Sequence, residues 1–121
     1  MRPAAAALAS NYIVSAIDAA AQVLAGAGVS PTQAAQALVP LAGGALRNVA
    51  AKGTTAGLTG PIRRGDAVTI QRHLDALREH PELAQLYRAL ALHAIEIATR
   101  IDGPDAPDRA GLDAIRAILN G

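Results

Sequence analysis

The chain contains no cysteine, no tryptophan and no phenylalanine, and two tyrosines are its only aromatic residues. Without cysteine, disulfide bonds and thiolate metal ligands are excluded, and a reducing compartment is compatible with the sequence. Without aromatic side chains that could stack on bases, a platform for single-stranded nucleic acid is excluded as well. Eleven basic and ten acidic residues give a net charge of +1, too little for binding driven by phosphate neutralisation. We therefore expect no nucleic-acid partner.

Long apolar runs are also missing, since no uninterrupted run approaches the roughly 20 residues that a membrane helix needs. The alanine-rich start, Ala4–Ala9, continues into Ser10-Asn11-Tyr12 without a separate cleavage region, which argues against a signal peptide. We expect a soluble, cytoplasmic chain with no membrane contact. Its 121 residues are enough for a core without disulfides or metals, and we predict that residues 1–121 form a single helical domain.

Apolar residues recur at helical spacing and no segment alternates with period two, which predicts an all-α fold, a bundle of five helices. The predicted helices cover about residues 4–25, 31–53, 66–79, 82–101 and 108–119. Ser30-Pro31-Thr32-Gln33 has the composition of a helix start with a capping box, and Asp66 that of an N-cap. Pro40 lies inside the second helix and favours a kink or a break there.

Leu, Ile and Val must supply the core, because the abundant alanines each bury little area. The third helix offers Val68, Ile70, Leu74 and Leu77, and the last helix offers Leu112, Ile115, Ile118 and Leu119. The fourth helix has one apolar face made of Leu83, Leu86, Tyr87, Leu90, Ala94, Ile97 and Ile101. Leu92 and Ile95 lie off that face, which indicates burial on several sides or contact with another subunit. We expect a homodimer with a self-complementary interface.

The stretch from Leu58 to Asp66, which reads L-T-G-P-I-R-R-G-D, differs from its surroundings. Helix capping accounts for Asp66 but does not call for Arg63 and Arg64, nor for Gly60-Pro61. Two neighbouring guanidinium groups repel unless an acid or a bound anion compensates, and each can hold a carboxylate through two parallel hydrogen bonds. We expect Arg64 to belong to an anion-binding cleft between this loop and the first helix. The alternatives are a solvated basic loop and a surface Arg64–Asp66 pair.

Neutral polar residues give further candidates. Asn11, Ser15, Asp18 and Gln22 form a stripe on the first helix, which either faces solvent or binds a ligand at Ser10 and Asn11. His73 is either a partly buried polar residue or a donor that faces the same cleft as the two arginines. The three histidines lack the spacing of a metal site. The glycine motifs of dinucleotide and phosphate loops are missing too, so we expect no metal and no cofactor in these residues.

Several short motifs together resemble the C-terminal helical domain of an oxidoreductase-like family, domain-of-unknown-function family 2520. They are Ala9-Ser10-Asn11-Tyr12, Leu38-Val39-Pro40-Leu41, Asn48, Leu58–Asp66, Thr69, His73-Leu74 and Leu86-Tyr87-Arg88. The resemblance covers about residues 4–101 and is most specific at Thr59-Gly60-Pro61-Ile62 with Arg64-Gly65-Asp66. Residues 102–121 would be a linker and a short terminal helix. Where the family carries a histidine shortly before the Ser-Asn pair, this chain has Arg2-Pro3.

The resemblance implies a helical domain of the 6-phosphogluconate dehydrogenase C-terminal-like superfamily, which follows an N-terminal Rossmann domain that binds NAD(P). Such helical domains close the active site, contact the substrate and form the dimer. By this resemblance Ser10, Asn11, Arg64, Asp66 and His73 line the substrate side of a cleft. The substrate would be a small anion, a 2-oxo or 2-hydroxy acid like ketopantoate.

The Rossmann domain is not among these residues, so we expect this chain alone to bind no NAD(P) and to be inactive. The alternative is a helical dimerisation or interaction module with no chemistry of its own.

Overall fold

The computed structural model describes residues Arg2–Gly121, and within that range the chain is all-α with no strand, as predicted. Its five main helices are Pro3–Gly26, Pro31–Gly57, Ala67–Ala76, Pro81–Ala98 and Arg109–Asn120. A single helical turn, Pro61–Arg64, and a 3-10 turn, Gly103–Asp105, lie between them. The chain divides into two compact units, Met1–Gly44 and Ala45–Gly121, which are described separately below. One domain over residues 1–121 stays a prediction.

The first unit buries little. Among its described residues only Ala34 is buried, while Leu8, Val14 and Leu41 are 66%, 68% and 72% exposed. Its local chemistry follows the sequence closely: the Ser30 hydroxyl accepts from the Gln33 N–H and the Gln33 side chain accepts from the Ser30 N–H, both at 3.2 Å. The predicted capping box is therefore confirmed. It fixes where the second helix begins.

Helix 3–26 contains an irregular turn that the sequence did not predict. Its ends, Pro3–Ala6 and Tyr12–Gly26, are regular α-helix, but Ala7–Asn11 winds as a π-helical turn. In a π turn the backbone hydrogen bonds join residues five positions apart instead of four, and such turns are frequent at functional sites. Ser10 and Asn11 lie within it, and both are exposed.

Helix 3–26 is also long and apolar enough to cross a membrane, judged by length and composition. A search for an uninterrupted apolar run misses it, because Ser10, Asn11 and Ser15 interrupt the run without adding charge, and Asp18 is its one charged residue. A single helix of this kind near the N-terminus is weak evidence and indicates no location. Cytoplasmic localisation stays a prediction.

The sequence predicts that the second helix ends at residue 53 and that it kinks or breaks at Pro40. Helix 31–57 leaves helical geometry at Gly53, with φ 80° and ψ 177°, where its end was predicted. The backbone stays helical at Pro40, so a break at that residue was predicted wrongly. Residues that carry a side chain rarely adopt that φ, so Gly53 and not Pro40 permits the bend. After the bend Gly57 lies against the backbone of Asn48 and Val49, where a Cβ would be 3.3 Å from the Asn48 carbonyl group.

The second unit has a proper apolar core. Three isoleucines at its centre, Ile70, Ile95 and Ile115, are completely buried. Around them pack other buried side chains from four helices: Ile62, Leu74, Ala91, Ala98, Leu112 and Leu119. Burying a large aliphatic side chain stabilises by roughly 1.5–3 kcal/mol, so these positions dominate the stability of the unit. The predicted core positions of the last helix, including the half-buried Ile118, are confirmed.

Two core predictions, Val68 and Leu90, are wrong. Val68 is 63% exposed, because it lies on the opposite side of helix 67–76 from Ile70 and Leu74, and Leu90, on the expected apolar face of helix 81–98, is 56% exposed. Ile95 lies off that expected face and is fully buried, so of the two outcomes expected for it the structure shows burial on another side of the helix. The buried face is Ala91, Ile95 and Ala98, and its small residues let helix 109–120 and the turn at 61–64 approach closely. Leu92 also packs against the core.

The terminal helix, 109–120, is held at both ends. Near its start Gly111 lies so close to Gly65 that a Cβ there would overlap the Gly65 carbonyl oxygen and approach two Gly65 carbon atoms to 3.0 Å. Near its end Arg88 donates from Nη1 to the carbonyl oxygens of Ile118, at 3.1 Å, and Leu119, at 2.7 Å. A guanidinium at a helix C-terminus satisfies carbonyl groups that have no partner in the helix.

Candidate functional site

The L-T-G-P-I-R-R-G-D stretch forms a tight helical turn rather than an open loop. Gly60 enters it with φ 93°, and Pro61 occupies the first helical position. Gly65 ends it in the left-handed region, with φ 67°. The Asp66 N–H then reaches back to the Pro61 carbonyl oxygen at 2.8 Å, and the Gly65 N–H reaches that of Ile62 at 3.1 Å, the two bonds of a Schellman motif. Helix geometry thus accounts for Gly60, Pro61 and Gly65.

Asp66 ends the turn and begins the next helix. One of its carboxylate oxygens accepts from the Thr69 backbone N–H at 3.1 Å, and the other accepts from the Thr69 hydroxyl at 2.6 Å. The predicted N-cap is confirmed. Because Asp66 already occupies the N-terminus of helix 67–76, the helix dipole there is satisfied by a built-in anion and is not free for a ligand.

Helix capping does not explain the two arginines of this stretch. Arg64 Nη2 lies 3.8 Å from an Asp66 oxygen, and the side chains of the pair are 60% and 34% exposed. At that distance and exposure an ion pair contributes roughly 0–1 kcal/mol, so it can open at little cost. Arg72 also acts on Asp66 by Coulomb attraction, so two cations share this carboxylate.

The capping contacts lower the pKa of Asp66. The largest cause is the hydrogen bond from the Thr69 hydroxyl, followed by that from the Thr69 N–H, with Arg64 and Arg72 adding Coulomb attraction. A carboxyl group whose pKa is lowered on folding stabilises the fold above its ordinary pKa, 3.8, and loses that contribution as the pH falls through the lowered value.

We therefore expect the wild-type chain to lose more thermal stability than Asp66→Asn between pH 5 and pH 2.5. Asparagine keeps an oxygen that can cap the helix but does not titrate. Melting temperatures followed by circular dichroism would measure this, with Asp113→Asn, an exposed aspartate on helix 109–120, as the control. Equal acid sensitivity of wild type and Asp66→Asn would contradict the argument.

His73 has a partner that the sequence did not single out. Its Nδ1 lies 2.8 Å from the hydroxyl oxygen of Tyr87 on helix 81–98. The two rings meet edge to face, with centroids 5.7 Å apart and planes at 87°. Tyr87 is half-buried and packs against the core, and burial raises the pKa of its hydroxyl. His73 is exposed, so it is not the partly buried residue that was one of the two expectations, and it has a hydrogen-bond partner.

Asp66, Thr69 and His73 form a polar row on helix 67–76, at spacings of three and four that place them on one face. Arg64 and Tyr87 extend this row at its two ends through the contacts above. Of the five candidates from the sequence, the structure thus brings together Arg64, Asp66 and His73 on the second unit. Ser10 and Asn11 belong to the π turn of the first unit. Thr69 and Tyr87 could have been found from the capping spacing and from the resemblance motifs, which already contain both.

Among the described residues, no group of three or more histidine, aspartate or glutamate side chains could hold a metal ion. The polar row and the residues at its ends offer a guanidinium, a carboxylate, hydroxyl groups and an imidazole. Of these, the guanidinium, the hydroxyl groups and the imidazole bind oxygen-bearing anions and donate hydrogen bonds to them.

Comparison with known proteins gives one match. The sequence profile of a family described as a domain of unknown function (DUF2520) matches residues 3–94. That range includes the π turn and the whole polar row but stops before helix 109–120. No curated protein and no solved structure matches the chain.

Proposed function

The chain belongs to the DUF2520 family, and from that membership and the polar row we propose that it is the substrate-side domain of an NAD(P)-dependent oxidoreductase. In this proposal the cofactor is held by a Rossmann domain of the same protein, in the manner of the 6-phosphogluconate dehydrogenase C-terminal-like superfamily. The substrate is a small 2-oxo or 2-hydroxy acid of the ketopantoate type. Arg64 binds its carboxylate.

The observation that carries the proposal is the loosely paired Arg64 on a rigid turn. Gly65, the Schellman bonds and the contact with Gly111 fix the backbone under Arg64, while its guanidinium keeps only a long contact to Asp66. A preorganised backbone with a replaceable ion pair is what anion binding requires, because the ligand carboxylate can take over from Asp66 at little cost. Asp66 itself stays bound to Thr69.

The test compares Arg64→Ala with Arg78→Ala in the enzyme that joins this domain to its Rossmann domain. Arg78 is a matched control, because it also makes an exposed ion pair, at 3.3 Å to Asp75. Losing a charge-assisted contact to the substrate should lower kcat/KM roughly 10- to 150-fold for Arg64→Ala. Arg78→Ala should retain wild-type kinetics. If the two variants behave alike and both fold, Arg64 has no role beyond the surface pair.

A second measurement tests whether the cofactor is bound by the other domain and not by this one. Calorimetry on the 121-residue chain should detect no NADPH binding, since the nicotinamide would be held by the other domain. Micromolar binding to this chain alone would contradict the proposal.

The alternative is a non-catalytic dimerisation or interaction module, and the exposed apolar side chains favour it. Leu8, Val14, Val39 and Leu41 of the first unit are each more than half exposed, and so are Leu46, Val68 and Leu90 of the second. Apolar surface of this extent commonly marks an interface. We propose a homodimer under either function; it no longer depends on Ile95, which is buried in the core. Light scattering that gives the monomer mass at all concentrations would rule it out.

A further inference from the structure

The pair formed by His73 and Tyr87 goes unused in the function proposed above, which needs only Arg64. It joins two different helices, 67–76 and 81–98, and its histidine lies on the same face of helix 67–76 as Asp66 and Thr69. Since this further inference concerns the same site, it rests on the proposed function. Its first test, however, needs no activity.

The hydrogen bond between the two side chains has two possible directions, depending on the histidine tautomer. Either the Tyr87 hydroxyl donates to an unprotonated Nδ1, or a protonated Nδ1 donates to the Tyr87 oxygen. Tyr87 is half-buried, and Nδ1 at 2.8 Å lies within hydrogen-bonding distance as an acceptor for its hydroxyl proton. His73 is exposed, and water can satisfy either of its nitrogens. The first direction therefore satisfies both groups.

We propose that Tyr87 is a positioning residue that holds His73 as the Nε2–H tautomer, so that this N–H donates a hydrogen bond to the keto or hydroxyl oxygen of the substrate. A neutral imidazole carries one proton, and when Nδ1 accepts from Tyr87 that proton is on Nε2. The edge-to-face packing of the rings, with planes at 87°, fixes the plane in which the N–H points. The raised pKa of Tyr87 keeps the phenol protonated and able to donate.

This arrangement divides recognition of a 2-oxo or 2-hydroxy acid between two groups. Arg64 takes the carboxylate as a charged donor, and His73 takes the second oxygen as a neutral donor. The two donors start from positions that are far apart. Asp66, which pairs with Arg64, and His73 are seven positions apart, which is about 10 Å along a helix. A ligand held by both must fit the space between an extended arginine side chain and a fixed imidazole.

The first test is nitrogen NMR on the 121-residue chain labelled at histidine, at pH 8. The wild type is compared with two variants, Tyr87→Phe and Tyr12→Phe, of which the second removes the other tyrosine hydroxyl. We expect wild-type His73 to carry its proton on Nε2. Tyr87→Phe should move both His73 ring nitrogen shifts towards those of the exposed His80, and Tyr12→Phe should move none. A proton on Nδ1 in the wild type, or unchanged shifts in Tyr87→Phe, would overturn the proposal.

The second test uses the two-domain enzyme and separates this inference from the proposed function. Tyr87→Phe and His73→Gln should each lower kcat roughly three- to tenfold, and the double variant should be no worse than His73→Gln alone, because both act through one group. If Arg64→Ala impairs the enzyme while Tyr87→Phe has wild-type kcat, the proposed function stands and this inference fails. If Arg64→Ala is also without effect, the proposed function itself fails.

Discussion

Gly111→Ala is expected to destabilise the second unit by about 1–3 kcal/mol, the range found for overpacked interiors. The new methyl group would overlap the Gly65 carbonyl oxygen and lie 3.0 Å from two further Gly65 atoms. These are backbone atoms, held by the Schellman bonds of the turn at 61–64, so they cannot rotate away as a flexible side chain would. Either helix 109–120 moves outward or the turn loses its geometry.

The matched control is Gly26→Ala, because Gly26 ends helix 3–26 with nothing within 4 Å of the position that a Cβ would take. There the same substitution should be neutral or stabilise slightly, since alanine is the better helix former by up to roughly 1 kcal/mol. Urea unfolding followed by circular dichroism compares the two. A Gly111→Ala chain as stable as wild type would mean that the two glycine backbones do not approach as closely as described.

Ile95→Ala should cost about 2–5 kcal/mol of unfolding free energy, the range for removing most of a buried aliphatic side chain. Ile95 on helix 81–98 is fully buried, in the same core cluster as Ile70 and Ile115. Leu90→Ala on the same helix is the comparison. Leu90 is 56% exposed, so in the monomer the loss of its side chain should change the free energy of unfolding by only about 0.5 kcal/mol or less.

Protein concentration distinguishes core from interface in this pair of variants. A core residue shifts the unfolding midpoint equally at all concentrations, whereas an interface residue has an effect that grows as the dimer forms. Equal costs for Ile95→Ala and Leu90→Ala, or a concentration-dependent cost for Ile95→Ala, would favour the other outcome expected from the sequence, contact of Ile95 with another subunit.

The sequence predicted best those features that depend on neighbouring residues. The Ser30–Gln33 capping box and the Asp66 N-cap each need only three or four consecutive residues, and both were found in the structure. Helix number followed from apolar spacing for the same reason. Gly53 was predicted as the end of the second helix, and the backbone leaves helical geometry there, whereas the helix accommodates Pro40 without the predicted break.

Which face of a helix is buried proved harder to predict. In helix 81–98 the leucines outnumber the buried residues, so a pattern weighted by hydrophobicity selects Leu86 and Leu90. The structure instead buries Ala91, Ile95 and Ala98, whose small size allows another helix to come close. That choice depends on helix 109–120, which is distant in sequence, and no local pattern contains it.

The candidate site was predicted in part. The sequence identified Arg64, Asp66 and His73, and the structure adds the groups that hold them, Thr69 and Tyr87. Thr69 was recoverable, since a residue three positions after an N-cap is its usual partner. The Tyr87 contact joins two helices and depends on how the hairpin between them packs.

The attachment of helix 109–120 has a consequence for how this protein can be divided. The family profile stops at residue 94, yet the segment beyond it supplies Leu112, Ile115 and Leu119 to the core. A chain cut at the end of the profile would lack Ile95 and would leave Ile70 without the core side chains of helix 109–120. Conversely, the helix is fastened by packing and by Arg88 rather than by the connecting residues 103–107. A protease that nicks this connection would leave both fragments associated, and peptides made separately on either side of it should reassemble into the same core.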